Sequence, residues 1–193
     1  MRSVWLFIIL LAEMMTFFLF SSPVLAQICF RGKPLPECRS FFVTEAGLSI
    51  RLDSHSQSES RSLTFEVGYM VNRGTSSALG ATVFLRGVDP VSGIGVRPRY
   101  RYWLTKESSL DISPGILLRS LCEGYERVVP SFSGQIAINP TEFVGFTTQI
   151  DVIRFKHKTT DIAWYLGAKL DSYFGVGGML GFFALVILVA ATW

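Results

Sequence analysis

The chain has 193 residues, 49% apolar and only 17% charged, with 18 basic against 15 acidic side chains for a formal charge of +3. That charge is too mild for a nucleic-acid-binding surface, and the charged middle of the chain is too apolar to be intrinsically disordered. The length allows one domain, or one domain with membrane segments.

Residues 1–26 read as a secretory signal peptide. Arg2 supplies the positive start and residues 4–20 the hydrophobic stretch, interrupted by Glu13. Val24, Leu25 and Ala26 offer small residues before a cut. Residues 27–39 then form a short N-terminal segment with two cysteines. Cys29 and Cys38 are the disulfide candidate in an exported chain, which leaves Cys122 free. No metal site is expected, because His55 and His157 are isolated and neither lies near a cysteine.

Residues 40–174 carry the strand signature, an apolar period of two. Eight strands are expected in an all-β fold. The first sets Phe42, Ala46, Leu48, Ile50 and Leu52 against Glu45, Ser49 and Arg51. The second sets Leu63, Phe65, Val67, Tyr69 and Val71 against Thr64 and Glu66, and the third sets Leu79, Val83 and Leu85 against Thr82 and Arg86. In the fourth, Ile94, Val96, Tyr100 and Tyr102 alternate with Arg97, Arg99 and Arg101. The fifth opposes Leu110, Ile112, Ile116 and Leu118 to Asp111 and Ser113. The sixth opposes Phe132, Ile136 and Ile138 to Ser133 and Gln135. The seventh opposes Val144, Phe146, Ile150 and Val152 to Thr147, Gln149 and Asp151, and the eighth Ile162, Trp164, Leu166 and Leu170 to Tyr165 and Lys169.

Short turns at residues 72–75, 105–107 and 139–142 alternate with longer connections at 54–61, 87–92, 119–130 and 156–160. This alternation predicts an eight-stranded antiparallel up-and-down β-barrel, whose closure removes exposed edges. One register follows from parity. Centring a turn on Lys106 pairs Tyr102 with Leu110, Tyr100 with Ile112 and Val96 with Ile116, and puts Arg101 opposite Asp111. Pro98 then faces Pro114, where neither residue has a ladder donor, so a bulge or local edge is expected.

Residues 175–193 form an uncharged apolar tail, expected to be a membrane-associated helix. Gly177 and Gly181, four apart, are candidates for close helix packing and self-association. The clustering of Gly175, Gly177 and Gly178 at the start of the run favours a flexible joint over such packing.

Two features favour an apolar face turned to a lipid bilayer. The polar face holds both charge signs: Arg51, Arg86, Arg97, Arg99, Arg101 and Lys169 with Glu45, Glu66, Asp111 and Asp151. Such a set suits a narrow lumen in which charges pair. Aromatics also gather at strand ends. Phe41, Phe42, Tyr69, Tyr102, Trp103, Phe143 and Tyr173 lie toward the short turns, and Phe132, Phe155 and Trp164 toward the loops.

Together with the stretches Gly-Val-Arg-Pro-Arg-Tyr-Arg-Tyr-Trp at 95–103 and Ser-Leu-Asp-Ile-Ser-Pro-Gly-Ile at 109–116, this pattern resembles small bacterial outer-membrane β-barrel proteins. The resemblance implies insertion in the outer membrane, turns in the periplasm and loops outside. No nucleophile elbow or phosphate-binding loop occurs, so neither an enzyme nor a cofactor is expected. The expected role is structural, adhesive or that of a narrow pore. The row Arg97, Arg99, Arg101 offers charge to an anionic solute or lipid head group. The alternative is a periplasmic lipocalin-like barrel that binds an apolar small molecule and is tethered to the inner membrane by its C-terminal helix. The direction of the three arginines separates the two.

Overall fold

A computed structural model describes residues 28–53, 61–88, 91–120, 127–155 and 160–192. The expected signal peptide, Cys122 and both histidines lie outside these. Among the described residues, ten strands precede one helix: β1 (Ile28–Cys29), β2 (Ser40–Arg51), β3 (Arg61–Asn72), β4 (Ser77–Val88), β5 (Val91–Trp103), β6 (Ser109–Ser113), β7 (Ile116–Ser120), β8 (Arg127–Asn139), β9 (Val144–Phe155), β10 (Thr160–Asp171) and α1 (Ser172–Thr192).

Consecutive strands from β2 onward pair antiparallel, and β10 returns to pair with β2, so the sheet closes. Strands β6 and β7 are two halves of one wall, both hydrogen-bonded between β5 and β8. Eight walls therefore make a closed antiparallel barrel, as the alternation predicts. The wall breaks at Pro114 and Gly115, across from Pro98, where two prolines in register supply no N–H to the ladder. Tyr100 pairs with Ile112, Arg101 with Asp111 and Tyr102 with Leu110, and Val96 pairs with Ile116 beyond the break. The parity argument gives the same four pairs.

Two expectations need correction. The long connection at 87–92 does not exist, because Gly87 pairs with Ser92 and Val88 with Val91. Turn-favouring Gly87 and Ser92 are held in the ladder by their neighbours, and sheet context overrides their propensity. Phe41 and Trp103 also do not join an outer aromatic belt. Both occupy odd, inward positions, 0% and 6% exposed, with ring centroids 5.8 Å apart, and pack with Val43, Met70 and Ala78 inside the turn end.

The seam between first and last walls is staggered. Its pairing stops at Glu45 with Asp171, so residues 40–44 of β2 run on past β10. Strand β1 covers part of this edge by pairing in parallel with Ser40 and Phe41. The start of α1 covers more, since Thr44 Oγ1 donates to the Ser172 carbonyl at 2.9 Å. Ser172 itself lies in the left-handed region at φ 60° and reverses the chain from β10 into the helix. Helix α1 then runs up the outer wall. A side chain at Gly175 would strike the Thr44 carbonyl, and Gly178 lies against the outward methyl of Ala46. Gly177 and Gly181 point elsewhere, with open space around them.

Candidate functional site: the lumen

Period-two alternation sorts the side chains of the eight walls by face. Outward-facing Leu48, Ile138 and Phe146 are 59%, 54% and 59% exposed, whereas inward-facing Arg97, Arg99 and Asp111 are at most 1% exposed. The greasy face is on the outside and the ionic face within.

Arg99 is the hub of the lumen. Its Nη2 donates to Glu66 Oε2 at 2.6 Å and to Glu45 Oε2 at 3.0 Å, and its Nη1 reaches Asp111 Oδ2 at 3.4 Å. Three carboxylates from three walls thus meet one guanidinium, whose planar fork suits several acceptors at once. Lys169 Nζ donates to Glu45 Oε1 at 2.6 Å and also meets Asp111 and Asp171, each at 3.5 Å. Arg97 pairs with Glu66, donates to Ser133 Oγ at 2.9 Å, and lies 4.1 Å above the Phe84 ring. Nearer the loops, Arg86 pairs with Asp151, donates to Ser62 Oγ at 2.8 Å and covers the Tyr165 ring at 4.4 Å. Gln149 ties this pair to the centre by donating to Asp151 Oδ1 at 2.9 Å and Ser133 Oγ at 3.2 Å.

Nine of the ten nominated charges therefore meet inside the barrel. Arg51 lies toward the loop end, where it grips Asp53 through two bonds of 2.9 and 2.7 Å. The hydrogen bond from Arg51 holds the Asp53 carboxyl down at about 2. Sequence reasoning did not nominate Asp171 or the neutral members Ser62, Ser133, Asn139 and Gln149, although it set Ser133 and Gln149 on the polar face. All of these except Ser62 are odd-numbered residues on strands whose odd positions face inward, and Ser62 follows the even parity of β3. That parity could have nominated them.

The N-terminal segment crosses the turn end of the lumen like a strap. Cys29 and Cys38 are bonded, with Cα atoms 5.8 Å apart. Asn72 Nδ2 donates to the Lys33 and Cys38 carbonyls, each at 2.7 Å, and its Oδ1 accepts from Trp103 Nε1 at 3.0 Å. Gly32 sits directly over Arg101 and Phe41, where a Cβ would come within 2.8 Å of the guanidinium. Arg31 and Lys33 both pair with Glu142 of the β8–β9 turn. Burial pushes the Glu142 carboxyl up, but hydrogen bonding from Arg31 and the charge of Lys33 outweigh it and leave it below its ordinary value.

The packed lumen leaves little space. Its described cavities have some 20 and 10 Å³ of room, far below the roughly 300 Å³ at which small-molecule sites begin. Among the described residues, such an arrangement can hold charge, but it shows no gap for a solute and no apolar chamber for a ligand.

No family model matches the chain, and no curated protein matches it. Two solved structures are similar to it. One, from work titled "De novo design of transmembrane beta-barrels", shares 7% identity at a TM-score of 0.38 and covers 73% of this chain and 98% of its own. The other is the outer membrane protein Ail of Yersinia pestis in a phospholipid bilayer nanodisc. It shares 12% identity at a TM-score of 0.39, with 67% of this chain and 97% of that chain covered.

Proposed function

We infer that the chain is a non-enzymatic outer-membrane β-barrel with a sealed lumen, serving as a structural or adhesive membrane anchor. The carrying observation is the inverted distribution of polarity, with a buried ion-pair lattice inside and an apolar surface outside. In water, outward Leu48, Ile50, Ile138 and Phe146 would cost about 25 cal/mol for each Å² of apolar surface left wet. Against hydrocarbon that cost disappears. Strands of 12 or 13 residues exceed the roughly 9–11 that a tilted strand needs to cross a bilayer. Aromatic Tyr69, Tyr100, Tyr102 and Trp164 face outward among the apolar residues, as membrane interfaces favour.

The lipocalin-like alternative requires a greasy interior, and the interior here is ionic. A pore role requires a continuous aqueous path, and the Arg99 hub stands in its way. An anionic solute or head group would have to displace Glu45, Glu66 and Asp111 from the arginine row. The tail is proposed as a membrane-lying helix, and pairing of two copies through its open Gly177 and Gly181 face belongs to the same reading.

The test is extraction and gel mobility. A detergent-extracted chain should migrate differently before and after boiling, and it should give no conductance steps in a planar bilayer. A chain lacking residues 175–193 that stays soluble and monomeric without detergent would overturn the reading.

A further inference from the structure

The turn end of the lumen contains a small polar cavity beneath the disulfide-closed strap. Three of its lining residues each present a buried polar atom that has no protein partner: Asn139 Oδ1, Asp171 Oδ1 and Ser172 Oγ. The orientation of the Asn139 amide is fixed, because its Nδ2 donates to Ser109 Oγ at 3.0 Å and Asp111 Oδ2 at 3.1 Å. Flipping it would set a carbonyl against a carboxylate. Its oxygen is therefore turned toward the Gly145 backbone and the Lys169 stem, where no donor meets it. Asp171 is held through Oδ2 alone, by one 3.5 Å contact to a Lys169 that is already committed to Glu45.

The chemistry selects the occupant. Two of the three atoms only accept hydrogen bonds, and the third is a hydroxyl that can donate. The matching ligand has two donors and one acceptor on a single heavy atom. The cavity has some 20 Å³ of room, against the roughly 10–15 Å³ that one water requires. Charge leaves a cation little to neutralise: Glu45 has Arg99 and Lys169, Glu142 has Arg31 and Lys33, and Asp171 shares Lys169 with Glu45. A serine at φ 60° points the same way. Glycine would hold that backbone without strain, so the hydroxyl itself has a use.

We propose that this cavity is a binding site for one neutral water molecule, which donates to Asn139 Oδ1 and Asp171 Oδ1 and accepts from Ser172 Oγ. The water joins the β8 end, the β10 end and the first residue of α1 into one polar joint.

Two measurements on the full chain in lipid nanodiscs or crystals test it. A crystal structure grown with Rb⁺ in place of Na⁺ should show a water within hydrogen-bonding distance of all three atoms, with no anomalous signal. An anomalous peak there would make the site a cation site. A direct bond between Asp171 and Asn139 would show a protonated acid, and either result overturns the proposal. The second measurement is a double-mutant cycle of Asn139→Ala with Ser172→Gly, read by denaturant unfolding. The two side chains share no direct bond, so a bridging water predicts at least threefold non-additivity in the unfolding constant. Additive effects would sink it.

Discussion

Arg101 and Asp111 stand directly opposite one another on adjacent walls and are joined by two bonds, Nε to Oδ1 at 2.6 Å and Nη2 to Oδ2 at 2.7 Å. Both are buried, so the pair contributes little relative to a well-packed apolar replacement, yet each member alone would be costly. Asp111→Ala should destabilise the barrel by about 3–5 kcal/mol, because it takes from Arg101 its close partner and removes a carboxylate that Arg99 and Lys169 share. Replacing both partners with Met and Leu should cost clearly less. Urea unfolding in detergent or nanodiscs checks the order, and equal losses would contradict it.

Acid should loosen the strap before it opens the barrel. The Glu142 carboxyl lies below its ordinary value in the folded chain, so its contribution is complete above the unfolded value near 4.3 and fades as pH falls through the folded one. Asp53, held at about 2, follows the same sign and loses its contribution between about pH 4 and 2. Protection against amide exchange at residues 30–33, relative to the intrinsic rate at each pH, should fall below pH 4. Glu142→Gln should show the lower protection at neutral pH and remove its pH dependence there.

The helix glycines should divide by the face they occupy. Gly175→Leu would drive a side chain into the Thr44 carbonyl and displace the first turn of α1, at a cost of about 1–3 kcal/mol. Gly177→Leu meets open space and should stay within about 0.5 kcal/mol. If two copies pair through the open face, Gly177→Leu with Gly181→Leu should abolish cross-linked dimers while leaving monomer stability intact.

Opening of the barrel wall should begin at the proline break. The ladder between β5 and β7 shifts register at Ile94 and Gly95, and the ladder between β8 and β9 shifts between Val128 and Phe132. The Ser133 amide bridges the gap by donating to the Gly115 carbonyl at 2.9 Å. Hydrogen exchange should be faster at Ile116, Leu117 and Ser133 than at Val67 or Val83, whose ladder is continuous. Uniform protection would refute a local weakness there.

The faces of the strands were legible because parity is a one-dimensional property, and it sufficed to place Arg101 opposite Asp111. Contacts across the lumen were not legible. Arg99 reaches Glu45 and Glu66 because stagger and tilt bring non-adjacent walls to one level, and no spacing in the chain encodes that. Phe41 and Trp103 looked like belt residues from position alone. Their odd parity already turns them inward, and what only the structure shows is the strap that covers them at that mouth. The strap's grip on Glu142 is non-local in the same way, linking residues that only closure brings together.

The staggered seam has a consequence for how the molecule can come into being. Residues 45–51 wait for partners at 165–171, roughly 120 positions later, and the overhang is finished by pieces from the two extremities of the chain. Contacts so distant in sequence make slow nucleation the rule. The barrel cannot close before residue 171 is present, because the last strand, residues 160–171, is the wall that joins β9 to β2.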